Sequence, residues 1–168
     1  CPAGPNPLPP ICATGNRPFG TYDNINRARG QGVEVEGAVQ LSPGLRFSAN
    51  YSLVVATDRT PGSVYEGNRL ARRPKHLANA ELGWTPGGAF TGADLSVAAR
   101  YAGKSFDDRA NNVTLDDYWL VDLRASYPLF AGIDVYGRIE NLFDTDYQTV
   151  AGYGTAGRSA YAGVRWAF

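Results

Sequence analysis

The chain has 168 residues, and its 16 Lys and Arg balance 16 Asp and Glu, so it has no basic surplus to offer nucleic acid. Hydrophobic residues make up 43 %, with 20 Gly, 11 Pro, 10 Tyr and no Met, which excludes wholesale disorder and disfavours a helical bundle. The longest plain apolar run, Leu53-Val54-Val55-Ala56, falls far short of the roughly 20 residues of a transmembrane helix but leaves membrane strands open, because those alternate.

Residues 1–20 hold more than half of the prolines and both cysteines, Cys1 and Cys12. Proline removes donors and breaks helix and sheet, so this stretch reads as an irregular loop. The start at Cys1 and the lack of Met read as a processed product or a fragment. Beyond it, apolar and polar residues alternate, and seven strands are predicted at about 21–41, 45–56, 75–85, 94–102, 117–127, 133–141 and 159–168.

Sorting those strands by parity separates two faces. One face carries Val33, Val35, Val39 and Leu41, then Leu45, Phe47, Tyr51, Leu53 and Val55, then Ala78, Ala80, Leu82 and Trp84. It continues with Leu95, Val97, Ala99, Tyr101, Trp119, Val121, Leu123, Ala125 and Tyr127, and ends with Ile133, Val135, Ile139, Ala160, Ala162, Val164, Trp166 and Phe168. The opposite face carries Glu34, Glu36, Arg46, Glu81, Asp94, Arg100, Asp122, Arg124, Asp134, Arg138, Glu140 and Arg165.

A soluble sandwich also hides one face and wets the other. Three features favour a membrane barrel instead. Connections alternate between short (42–44, 86–93, 129–132) and long (57–74, 103–116, 142–158), as barrels with short periplasmic turns and long outside loops require. Aromatic residues of the apolar face lie toward strand ends: Phe47, Trp84, Tyr127, Trp166 and Phe168 at the short turns, Tyr101 and Trp119 at the long loops. The strands also match the about 9–11 residues that cross a bilayer at a tilt. The expected fold is all-β, an antiparallel transmembrane barrel with apolar residues toward lipid and charged residues toward a lumen. An odd number of strands with open edges is not a stable membrane object, so the chain reads as part of a larger barrel.

The segment Asn141-Leu142-Phe143-Asp144-Thr145-Asp146-Tyr147, followed by Gly152-Tyr153-Gly154-Thr155-Ala156-Gly157-Arg158 and a strand ending in Phe168, resembles TonB-dependent outer-membrane receptors. Tyr22-Asp23-Asn24 followed by Gly32-Val33-Glu34-Val35-Glu36 is a second likeness. Within the family, the wording of residues 146–158 and Leu70-Ala71-Arg72-Arg73-Pro74-Lys75 is similar to vitamin B12 (cobalamin) receptors. The resemblance implies a barrel of about 22 strands in the bacterial outer membrane. It further implies an N-terminal plug that this chain lacks, coupling to the TonB energy-transducing protein, and import of cobalamin. A ferric siderophore is the alternative ligand, and a non-transporting adhesion or structural barrel the alternative class. On this reading residues 1–20 are an extracellular loop remnant and 21–168 are the C-terminal barrel strands. Two cysteines in one loop on an oxidising route are expected to pair as a Cys1–Cys12 disulfide. Trp166 and Phe168 fit the C-terminal assembly signal of such barrels.

Other chemistry is weaker. Gly152–Gly157 formally matches GxGxxG, but an alternating strand follows where a nucleotide fold needs a helix. One histidine, His76, and no GxSxG or HExxH frame argue against an enzyme, and no cofactor is expected. Asp107 and Asp108, with Asn111, Asn112, Asp116 and Asp117, could offer oxygens to Ca²⁺, or belong to a solvated loop. Tyr147, Tyr153 and Arg158 are candidates for the ligand entrance; the alternative is turn chemistry that closes the last hairpin. Arg27 and Arg29, at the outward parity above the lipid band, suit lipopolysaccharide phosphates, or ordinary solvation.

Overall fold

The computed structural model describes residues 24–130 and 132–166. Cys1, Cys12, Tyr22, Asp23 and Phe168 lie outside these residues, and with them the disulfide, the loop remnant and half of the assembly signal. Seven strands form one antiparallel sheet in chain order: β1 (Ala28–Ser42), β2 (Leu45–Asp58), β3 (His76–Trp84), β4 (Asp94–Ala102), β7 (Tyr118–Phe130), β8 (Ile133–Glu140) and β9 (Ser159–Trp166). A separate two-stranded hairpin, β5 (Ser105–Phe106) and β6 (Thr114–Leu115), stands between β4 and β7. The order is a meander, which short tight turns permit.

The register keeps the apolar positions together across every pairing. Phe47 opposes Leu82, Leu82 opposes Val97, Val97 opposes Leu123, and Leu123 opposes Ile139. A second row runs through Ala49, Ala80, Ala99 and Val121. Nothing among the described residues covers this face: Val35 is 61 % exposed and Val164 65 %. A soluble sheet would forfeit roughly 25 cal/mol for each Å² of such apolar surface left in water, so the surface calls for an apolar solvent.

Aromatic residues edge the band as expected. Tyr101 and Trp119 stack with centroids 4.8 Å apart, and the Tyr51 hydroxyl hydrogen-bonds to His76 Nδ1 at 2.7 Å, all at the long-loop end. Trp84, Tyr127 and Trp166 flank the short turns, where Trp166 opposes Ile133 on the last described rung. Between β1 and β2 the turn is closed by Gly44 at φ 81°, where a Cβ would also strike the Thr85 carbonyl.

The structure adjusts some boundaries. β1 begins at Ala28 rather than at residue 21; the polar Asn24 and Asn26 of the stretch before it are poor strand formers. β7 continues to Phe130 because Pro128 sits beside a register shift, where a missing N–H is tolerated. The 103–116 connection holds the β5–β6 hairpin, whose tip is sealed by Asp108 accepting the Asn112 and Val113 N–H groups at 2.9 and 2.8 Å.

Candidate functional site

The even-numbered positions of β1, β2, β4, β7 and β8 and the odd-numbered positions of β3 line an open trough of about 800 Å³ on the charged face, floored by Asn50, Asn79, Glu81, Arg100, Asp122 and Arg124. Here polar groups answer one another. Arg100 Nη2 donates to Asp122 Oδ2 at 3.1 Å, Asn79 Nδ2 to Asn50 Oδ1 at 2.9 Å, and Arg138 Nε reaches Glu140 Oε1 at 3.4 Å. Arg138 also lies over the Tyr161 ring at 4.5 Å, which eases its direct opposition to Arg124. Arg100, Arg138 and Glu140 are paired yet stay open to water, as a lumenal wall requires, while Asp122 is buried against its partner.

At the long-loop end the chain is packed most tightly. Asp58, the last residue of β2, is 1 % exposed. Arg109 grips its Oδ2 from both Nε (3.1 Å) and Nη2 (2.9 Å), and the Thr60 N–H donates to Oδ1 at 2.8 Å. The Arg109 guanidinium lies 4.9 Å over the Tyr65 ring, and its carbonyl accepts from Asn68 Nδ2. Asn111 exchanges two bonds with the Arg69 backbone, 2.9 and 3.0 Å. Arg72 Nε donates to Asp107 Oδ1 at 2.8 Å. The loops after β2 and β4 are therefore one interlocked body.

The Arg72 guanidinium holds the Asp107 carboxyl below the ordinary carboxylate range, against an opposing effect of burial and with help from the Ala151 N–H. The carboxylates of Asp107 and Asp108 thus serve Arg72 and the hairpin tip. Among the described residues no group of three or more His, Cys, Asp or Glu gathers as a metal site.

The segment after β8 has its own lock. Asn141 and Asp144 adopt φ of 51° and 56°, a left-handed conformation that Asn and Asp tolerate better than most residues. The Asn141 N–H donates to Asp122 Oδ1 at 3.0 Å, and its amide exchanges two 2.9 Å bonds with the Thr145 backbone. Asp144 Oδ1 accepts the Arg158 N–H at 2.7 Å, and a Cβ on Gly157 would come within 2.8 Å of that oxygen. The Asn-Leu-Phe-Asp and Gly-Arg residues are thus two halves of one clasp.

Of the entrance candidates, Tyr147 stacks on Tyr118 at 4.5 Å and its carbonyl accepts from Thr155 Oγ1 at 2.6 Å. Tyr118 shares the parity of Asp122, so the pair forms an aromatic shelf on the lumenal side of the mouth. Tyr153 projects at 71 % exposure, while Arg158 Nη1 reaches back to the Leu142 carbonyl at 3.3 Å and so takes part in closing the hairpin. Arg27 and Arg29 stand exposed at and just before the start of β1. Sequence reasoning missed Asp58 and Arg109, and it read Asn111 as a cation candidate where the structure bonds it to the Arg69 backbone. No periodicity links positions 51 residues apart, and the one available signal was an Asp at the lumenal parity of a strand end.

The family described as TonB dependent receptor-like, beta-barrel matches residues 4–142. This chain belongs to the TonB-dependent receptor family. The match ends just inside the Asn141 clasp, and the strands it covers are the membrane wall of that outer-membrane barrel. Similar TonB-dependent relatives include the vitamin B12 transporter BtuB of Photobacterium profundum, 34 % identical over 86 % of this chain and 22 % of the relative. The ferrichrome outer membrane transporter/phage receptor of Escherichia coli is 32 % identical over 77 % of this chain and 18 % of the relative. The ferrioxamine B receptor of Salmonella typhimurium is 30 % identical over 93 % and 24 %. Among solved structures, the ferric yersiniabactin uptake receptor FyuA of Yersinia pestis has a TM-score of 0.71 at 19 % identity, over 84 % of this chain and 24 % of that one. Such a likeness bears on fold alone. The chain spans a quarter or less of the length of these relatives, so it is one portion of a barrel wall.

Proposed function

We propose that this chain supplies wall and outer rim to a TonB-dependent transporter that imports a large, scarce nutrient, with vitamin B12 as the substrate. The observation that carries this reading is the Tyr118–Tyr147 shelf at the lumenal mouth, beside the interlocked loops. Stacked aromatic faces on a rigid support suit a large, partly apolar ligand such as a corrin. Tyr153 extends that surface outward. Likeness to a vitamin B12 transporter supports the choice of substrate. The paired lumenal charges suit docking of a plug domain elsewhere in the parent chain, and uphill import requires energy delivered through TonB from the inner membrane.

A ferric siderophore is the second reading, favoured by the ferrichrome and ferrioxamine relatives. Growth of a strain lacking the gene decides between them. Loss of cobalamin-dependent growth, rescued by the full-length gene but not by one with a mutated TonB-coupling segment, is the expected outcome. Loss of ferric-siderophore uptake instead overturns the substrate and keeps the transporter; no change in either overturns both substrates.

A further inference from the structure

We infer that Arg100, acting through the buried Asp122, is a positioning residue for the Tyr118–Tyr147 shelf, so that a charge pair on the lumenal wall sets how firmly the mouth is held. The inference rests on the shelf being the ligand entrance proposed above. The register places Arg100 of β4 opposite Leu120 of β7, with Tyr118 and Asp122 as its lumenal neighbours on the two diagonals. Diagonal positions lie about 7–8 Å apart, within reach of a long side chain. Arg100 spans one of them, where its Nη2 donates to Asp122 Oδ2 at 3.1 Å. The other carboxylate oxygen, Oδ1, accepts the Asn141 N–H at 3.0 Å. Asp122 therefore holds the wall with one oxygen and the loop after β8 with the other.

From Asn141 the hold runs on to the shelf. Asn141 Oδ1 accepts the Thr145 N–H and its Nδ2 donates to the Thr145 carbonyl, both at 2.9 Å, just ahead of Tyr147. Tyr147 then stacks on Tyr118, back on β7. Arg100, Asp122, Asn141, Thr145, Tyr147 and Tyr118 thus form a ring of contacts, closed through the β4–β7 ladder. A carboxylate only 5 % exposed is costly unless a cation compensates it, and Arg100 is the cation the structure gives Asp122. The same contact fixes the carboxylate plane, which aims Oδ1 at the Asn141 N–H. Without Arg100 the carboxylate must turn toward water in the trough, and the loop that carries Tyr147 loses its anchor.

The test uses the full-length parent protein in detergent micelles, with heat modifiability as the check on folding. Hydrogen exchange read by mass spectrometry follows residues 141–150, and cyanocobalamin is the binding probe. Arg100→Gln is expected to speed exchange at 141–150 about ten-fold and to leave 59–75 unchanged. Arg46→Gln, on the same wall but on β2, should change neither. Arg100→Gln should weaken cyanocobalamin binding about five-fold. In a Tyr147→Ala background it should weaken binding less than about two-fold, because the shelf it acts through is then gone. Asp122→Asn keeps the shape and removes the charge; it should match Arg100→Gln, and the double variant should be no worse than either alone. Should one single variant fail to fold, the other carries the test. Unchanged exchange at 141–150 would overturn the inference, as would equal weakening with and without Tyr147 or additive losses in the double variant. If wild type does not bind cyanocobalamin, the vitamin reading falls; the exchange result, with the same cycle run on ferrioxamine B, then decides the positioning role by itself.

Discussion

The strand wall and the outer loops are held by different physics. In most of the wall, side chains on both faces are open: Val35 and Val97 are exposed on one, and the trough lies open on the other, although Leu120 and Asp122 near the long-loop end of β7 are buried. Its order comes from the backbone ladder, and its outward face awaits lipid. The loops instead close on themselves, with Asp58, Asn141 and Leu115 at 5 % exposure or less. The wall therefore answers to its surroundings, while the loops carry a small polar core of their own. For recognition this is the useful arrangement, since a pre-ordered rim pays less entropy when a ligand docks.

Placing a charge on the lipid face should have the largest effect. Val121→Arg, in the middle row with Ala99, is expected to cost about 2–4 kcal/mol of folding in lipid vesicles, measured by denaturant titration. The same change at the lumenal Ser48 should cost far less, and equal costs would erase the contrast between faces.

Asp58→Ala attacks the loops. It removes the carboxylate that Arg109 grips and the acceptor of the Thr60 N–H, and should cost about 2–3 kcal/mol, at the low end for a buried pair because Arg109 retains 26 % exposure. Hydrogen exchange should quicken at 59–75 and 103–117 together while β7 and β8 stay protected. Quickening in one loop only would mean that the loops are not one body.

The clasp after β8 is smaller. Asp144→Ala removes the acceptor of the Arg158 N–H, worth about 1 kcal/mol, and should loosen residues 141–158 without affecting the Asp58 lock. The least effect comes from pH. Because its folded pKa is depressed, Asp107 contributes stability that is fully present above the ordinary carboxylate range and is lost as pH falls through the folded value. Loop protection should therefore stay level from pH 8 to about 5 and fall only in stronger acid. In Asp107→Asn, whose amide cannot titrate, that acid fall should shrink.

How much of this could be read from sequence follows the same division. Alternation at period two is a one-dimensional signal, so the faces of Val97 or Arg124 were legible, and the registers agree at each pairing. The Asn141 and Asp144 motif letters were legible as a family mark, but not as left-handed residues joined through Asp122 and Arg158. The Asp58–Arg109 pair was invisible, because its partners meet only after two irregular loops fold back. The β5–β6 hairpin was missed for a related reason: two-residue strands are too short to alternate.

The claim on which the rest stands is that the apolar face meets lipid and the charged face meets a lumen. Single cysteines at 121, 135, 124 and 138 in the full-length parent protein, embedded in membranes, test it directly through reaction with a water-soluble maleimide. The account predicts that 124 and 138 are labelled, and that 121 and 135 are labelled only after detergent unfolding. Comparable labelling of all four positions in intact membranes would contradict it.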